Sequence, residues 1–327
     1  MKYSTDPEKL AQLIKPFGYQ QLTEKGLRRA YNLGNLIRAQ YPTLLGGKYN
    51  ESQVYLRSTD ITRTKMTLLA ALAAVYPPAQ EWQKGLNWTP VPYTTVPEEI
   101  DFNRALNSCK TFMTEVKQMY KLNYPEMIKY KKILELVMTH LHLDMNLVDK
   151  PLYINKIYNV FMSQISLGLD LPEDLKENLT EIKKAADAAF AVLYRDNKRG
   201  SILPYESGVL LNEFFNYAQM MINNITTQAM RIYSAHHENV YAFSKISRTD
   251  IGGMPDYGAT FALNLRKEKY TDNFIVEPVF YVPSLQDNYQ LKSLVVDGCG
   301  NPCYYSTFEN LTKKYAWHYD TWRSNCH

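Results

Sequence analysis

No stretch of this sequence is apolar for long enough to span a bilayer, and its first 18 residues are polar and charged, without the apolar core of a signal peptide. As written, the chain is therefore expected to hold neither a signal peptide nor an anchor. An excess of one charge is missing too: 37 basic and 33 acidic residues leave a net charge of +4, with no basic stripe. On that ground nucleic acid is excluded as a partner. The P-loop, the Rossmann glycine pattern and the G-x-S-x-G elbow are all absent, and no histidine occurs before His140.

Cysteine is scarce, at four residues, but the count is even. Cys299 and Cys303 make a close pair and Cys109 and Cys326 a distant one. Two disulfides suit this spacing, 299 to 303 and 109 to 326, the second tying an internal segment to the C-terminus. Four reduced thiols, or half a zinc site at C-x-x-x-C, are the other readings, although no second ligand pair follows. Five N-x-S/T sequons occur, at Asn50, Asn87, Asn178, Asn224 and Asn310, none with proline in the middle. Together with the even cysteines they point to a secretory history, in a secreted or lysosomal glycoprotein. A hydrophobic content of 45% over 327 residues excludes general disorder and suffices for one large domain or a core with an insertion.

Along the chain, Thr23 is placed to cap a helix whose apolar face runs Leu27, Tyr31, Ile37 and Tyr41, stopped by Pro42. Val54, Tyr55 and Leu56 begin a short strand that turns through Arg57, Ser58, Thr59 and Asp60 into a strong helix former, residues 64–75, ended by Pro77 and Pro78. Asp60 or Thr59 would cap that helix. The corner is also an anion site in outline, because helix N–H groups point at the turn and Arg57 offers a planar fork of donors. Residues 82–103, rich in proline, read as a strand or edge segment. From 105 to 231 the pattern is amphipathic helix throughout, in segments 112–122, 126–143, 151–167, 174–194 and 207–222, with breaks at Pro172 and Pro204. Such a block between α/β halves reads as a helical cap. Residues 229–235 then read as a buried strand closing on His236, His237, Glu238 and Asn239 at its carboxyl end, where ligands gather in open α/β sheets. Residues 260–265 and 274–282 read as paired strands, followed by a short helix over 305–313 and a polar tail. His140 and His142, two apart, make a poor metal pair on a helix; no metal or cofactor is expected.

Four segments in one order carry a likeness. Residues 18–26 look like a GxxQLTxxG region, 54–64 are similar to VYxRSTDxxRT, 88–101 resemble a proline-rich W-x-P-I-P segment, and Tyr233 to His236 match YSAHD up to the aspartate. With these, the chain resembles the histidine acid phosphatases, the branch of the histidine phosphatase superfamily that includes the prostatic and lysosomal enzymes; Cys299 and Cys303 match a short disulfide of that family. The resemblance implies an α/β fold, a mixed central sheet with helices on both faces and an α-helical cap. The core would be residues 1–104 and 232–327, the cap 105–231. It also implies phosphomonoester hydrolysis at acidic pH without metal. A histidine of an RHGxRxP motif attacks phosphorus, arginines and a second histidine hold the phosphoryl oxygens, and an aspartate after that histidine protonates the leaving group. By position, Arg57 would be a phosphate clamp and His236 the second histidine. The expected partner is a phosphorylated small molecule or phosphoprotein, and dimerisation, common among such enzymes, is left open.

The departures are equally specific. RHGxRxP belongs upstream of Gly18 and does not occur, so the nucleophile, two clamp arginines and the first strand are missing from this sequence. An open sheet edge and uncovered apolar partners would follow. His237 stands where the family has aspartate. Glu238 offers another proton donor, because His236-His237-Glu238 resembles the H-x-E of the inositol-polyphosphate phosphatases; a lost acid, costing about 10²- to 10⁴-fold, is the other reading. Sequons without a signal peptide make a truncated sequence the expectation. The alternative is a degenerate copy, a catalytically inactive secreted member that binds phosphorylated ligands or partners. On either view the chain as given is expected to be inactive.

Overall fold

The computed structural model describes residues 3–195, 201–284 and 288–327. Thr23 caps the helix α1 (Glu24–Gln40) by accepting the Gly26 N–H, as the sequence predicts. Its buried face is Ala30, Leu33, Gly34 and Ile37, whereas Tyr31, expected inside, is 43% exposed. Packing explains the correction. After strand β1 (Val54–Ser58) comes α2 (Thr62–Val75), and α1 lies so close to it that a Cβ on Gly34 would sit 2.1 Å from the Ala71 carbonyl oxygen. The small residue therefore chooses the inward face. Neither Asp60 nor Thr59 caps α2. Asp60 pairs with Lys65, while the Thr59 hydroxyl bonds to that of Thr64, 2.8 Å away.

β1 is buried at four of its five residues and runs parallel to β2 (Met230–Ser234), with Arg57 opposite Tyr233. On its other edge the proline-rich segment supplies one bridge rather than a strand: the Ser58 N–H donates to the Thr94 carbonyl, and the Thr94 N–H to that of Leu56. Prolines on both sides of Thr94 have no N–H to continue the ladder. A second sheet, antiparallel, orders β3 (Thr260–Lys267), β4 (Phe274–Pro283) and β5 (Tyr289–Ser293), the last not foreseen. The fold is thus α/β with more helix than strand. Leu33, Ile37, Val54, Leu56, Leu72 and Tyr281 share one core, which Met230, Ile232 and Ala262 enter only half-buried. β2 is half-exposed at every residue, where the sequence predicts a buried strand. Topology gives the reason. β2 ends one sheet and β3 the other, so among the described residues neither has a strand on its outer edge.

The chain divides into two compact units. The one just described gathers the described residues of Leu22–Lys110, Leu203–Ile251 and Pro255–His327. It also holds α3 (Leu203–Ile222), α4 (His237–Ile246), α5 (Tyr305–Thr312) and α6 (Tyr319–Cys326). Pro204 sits in the first turn of α3, where its missing N–H has no helical partner to lose; it starts a helix rather than breaking one. α6 replaces the expected polar tail, because Trp322 is buried with its ring N–H on the Tyr205 carbonyl and Cys326 is joined to Cys109. Cys299 and Cys303 form the second disulfide, which removes the readings as reduced thiols or half a zinc site. The other unit holds Thr111–Ile202 with Met1–Gln21 and Gly252–Met254, in its described residues, and is helical around Phe112, Leu134, Ile157, Phe161, Ile182 and Ala186. No helix among the described residues is long and apolar enough to cross a membrane.

Candidate active site

Because β1 and β2 are parallel, their carboxyl ends open on the same side, and there Arg57, Thr59 and His236 leave the strands. The Arg57 side chain is 7% exposed and already engaged: Nη2 donates to Asp101 Oδ1 at 2.6 Å and the guanidinium lies 4.3 Å over the Phe102 ring. Among the described residues its buried Nε has no hydrogen-bond partner, and neither has Asp101 Oδ2. Burial pushes the Asp101 carboxyl up, against the opposing pull of Arg57.

His236 is reached from two sides. Its Nε2 lies 3.3 Å from Arg104 Nη1 and 3.2 Å from Thr59 Oγ1. Arginine can only donate, so Nε2 accepts and the ring is neutral. Burial lowers its pKa to about 3, and Arg104, Arg63 and His237 push the same way against Glu238. Next to it, His237 Nδ1 stands 3.2 Å from Glu238 Oε2. Burial pushes the Glu238 carboxyl up, but His237, His236, a backbone hydrogen bond and Arg104 together hold it below its ordinary value. Arg104 also pairs with Glu98 at 2.9 Å. Arg63 completes the cluster, half-buried, and burial with Arg104 beside it lowers its pKa while Glu238, Tyr257 and Glu98 oppose. Among the described residues its guanidinium makes no hydrogen bond or ion pair. Arg57 is paired with Asp101 and Arg104 with Glu98, while Glu238 and Glu98 act on Arg63 through their charge alone.

Of the site residues read from sequence, the structure brings His236, His237 and Glu238 together, with Arg57 at the same end of the paired strands but turned to Asp101 and Phe102. Sequence reasoning missed Asp101, Glu98 and Arg104, which lie on short 3₁₀ turns at 98–104 with no periodic signal. Arg63 was visible inside VYxRSTDxxRT but received no role. His140 sits in the helical unit against Asp174. Among the sequons, Asn50, Asn87, Asn224 and Asn310 are exposed and Asn178 is half-buried.

Comparison with known proteins gives the family. Residues 3–258 match the family model described as histidine phosphatase superfamily (branch 2). A lysosomal acid phosphatase of Xenopus laevis is 26% identical over 317 residues, covering 94% of this chain and 71% of that protein. A prostatic acid phosphatase of Homo sapiens is 26% identical over 322 residues, covering 94% and 80%. In fold, the chain is similar to a Hafnia alvei phytase solved with tartrate, with a TM-score of 0.63 at 14% identity over 94% of this chain and 90% of that one.

Proposed function

The chain belongs to branch 2 of the histidine phosphatase superfamily, and on that premise we propose that it is an acid phosphatase scaffold whose phosphoryl site is formed by Arg63, Arg104, His236 and Arg57. The observation that carries the reading is the unspent Arg63 guanidinium, in the same charge cluster as Arg104 and His236 at the carboxyl end of parallel strands. Arg57 Nε, a buried donor without an acceptor, adds to it, since such a group is costly unless a ligand oxygen completes it. Family resemblance supports phosphomonoester hydrolysis. The finer assignment follows the chemistry of the cluster. The arginines take up charge on the phosphoryl oxygens, and Glu238 is the donor to the leaving group, His237 occupying the usual aspartate position. A dianion beside Glu238 opposes the pull of the histidines and raises its affinity for a proton, which a donor needs.

A phosphohistidine route also needs a nucleophile, and the six histidines begin at His140. The unpaired outer edges of β2 and β3 and the half-covered residues they send into one core support a further strand between them, the position the family gives to R-H-G-x-R-x-P. In the second reading, favoured by His237 at the usual aspartate position, the protein binds phosphorylated ligands or partners without turnover. Phosphate titration of the 327-residue chain, with p-nitrophenyl phosphate hydrolysis followed in parallel, tests the site. Binding without turnover is the expected result. No binding would remove the phosphoryl site, and turnover would overturn the need for a further strand. The division into a core of 1–104 and 232–327 and a cap of 105–231 belongs to the same proposal, with the difference that the two compact units put residues 1–21 with the helices and 203–231 with the sheets; a secretory or lysosomal address belongs to it too. For the address, glycosidase treatment of the native protein gives the check: loss of mass from the exposed sequons is expected.

A further inference from the structure

Glu206, in the first turn of α3, is a carboxyl that the phosphoryl site does not use. It is 3% exposed, its Oε2 has no partner among the described residues, and its Oε1 accepts from Asn239 Nδ2 at 3.1 Å. The same amide reaches the Glu206 backbone carbonyl at 3.3 Å, while Asn239 Oδ1 accepts the His236 N–H at 3.1 Å. Reversed, the Asn239 amide would set donor against donor at His236, so the two acceptors on Glu206 fix which way it faces. Burial pushes the Glu206 carboxyl well above its ordinary value; Glu238 on α4 adds to this and Arg104 on the 102–104 turn opposes. On the same turn, the Trp322 ring N–H donates to the Tyr205 carbonyl and the Trp317 N–H to that of Gly208.

We propose that Glu206 is a positioning residue which, through Asn239, fixes the backbone of His236 and the first turn of α4 that carries Glu238. The inference rests on the reading of His236 as part of the phosphoryl site. A carboxylate at 206 would leave an unpaired charge beside Glu238, so the arrangement holds at acidic pH and loosens as Glu206 ionises. Glu206→Gln keeps an acceptor for Asn239 and cannot ionise; Glu206→Ala and Asn239→Ala break the chain of hydrogen bonds.

The test is hydrogen exchange at the His236 amide of the full chain, with inorganic phosphate titrated across pH. Glu206→Ala and Asn239→Ala are each expected to lower protection of that amide about tenfold or more while Tyr241 and Ala242, further along α4, keep theirs. The double variant should be no worse than either single one. Phosphate affinity should fall about five- to tenfold in the same variants. Glu206→Gln should retain both and abolish the decline in affinity on the alkaline side. Unchanged protection in Glu206→Ala, or a Gln variant as damaged as the Ala variant, overturns the proposal. Should the Ala variant not fold, Asn239→Ala and Glu206→Gln decide it. If the parent chain binds no phosphate but His236 protection still falls, the positioning role stands and the phosphoryl reading fails.

Discussion

Arg57 and Arg63 stand six residues apart and do different work. Arg57 closes a buried pair with Asp101, and removing one partner of such a pair strands the other charge in a dry environment. Arg57→Ala is therefore expected to cost about 3–5 kcal/mol in denaturant unfolding. Arg63→Ala leaves no such orphan and should change stability by less than about 0.5 kcal/mol. Its effect should appear instead as a loss of phosphate affinity of about tenfold or more, because a charge-assisted donor is gone. Equal stability losses in the two variants would sink this division. His236 adds a pH dependence. The native ring stays neutral down to about 3, whereas an exposed histidine takes a proton near 6.5. Between these values the unfolded chain binds the extra proton. Stability is then fully present above the upper value and is lost as pH falls toward the lower one, by at most about 1.4 kcal/mol per pH unit and less where solvent screens the ring. His236→Asn should flatten that acid limb. A bound phosphate reverses the preference by favouring the charged ring, so binding at mildly acidic pH should take up a proton, read as a buffer-dependent heat in titration calorimetry.

Among the elements, those with strong local signals were legible and those decided by neighbours were not. Thr23 announces α1, the apolar run after Val54 announces β1, and the two strand-like runs at 260–265 and 274–282 announce a pair of strands. The inward face of α1 was not legible, since Gly34 reads as a weak point in a helix until Ala71 is placed against it. Gly34→Ala should force α1 and α2 apart and destabilise the protein by about 1–3 kcal/mol, although alanine is the better helix former; a neutral or stabilising result would contradict the close approach. The exposure of β2 was hidden for a similar reason, because a sequence does not say which strands have neighbours. At the site, Arg57, His236 and Glu238 were found through motif positions, while Asp101 and Arg104 come from a loop whose only local signal is proline. Edge strands exchange amide hydrogens faster than paired ones. β1, bonded on both sides, should be protected, with the outward amides of β2 and β3 exchanging early. Protection of β2 equal to that of β1 would mean that the edge is covered in solution.

At the scale of the whole molecule, the Cys109–Cys326 disulfide joins residues 217 apart in sequence, whereas Cys299–Cys303 spans only 4. In the chain-entropy account the long loop restrains the unfolded state more, by about 5 kcal/mol against about 2 for the short one, and removal of native disulfides costs about 2–5 kcal/mol in practice. Cys109 also ends the segment that carries the site wall: Ser108 Oγ donates to the Asp101 carbonyl, and Arg104 and Asp101 lie a few residues before it. Losing the long bridge should thus act twice, where losing the short one acts once. Serine at both 109 and 326 is expected to lower unfolding free energy by about 2–5 kcal/mol and to weaken phosphate binding as the 98–108 segment loosens. Serine at both 299 and 303 should lower stability less and leave binding unchanged. Equal effects on binding would show that the segment is held by Asp101 and Phe102 alone. Such bridges persist only in oxidising compartments, so titration of the native protein for free thiols tests the fold and its secretory address together, with no reactive thiol as the expected outcome.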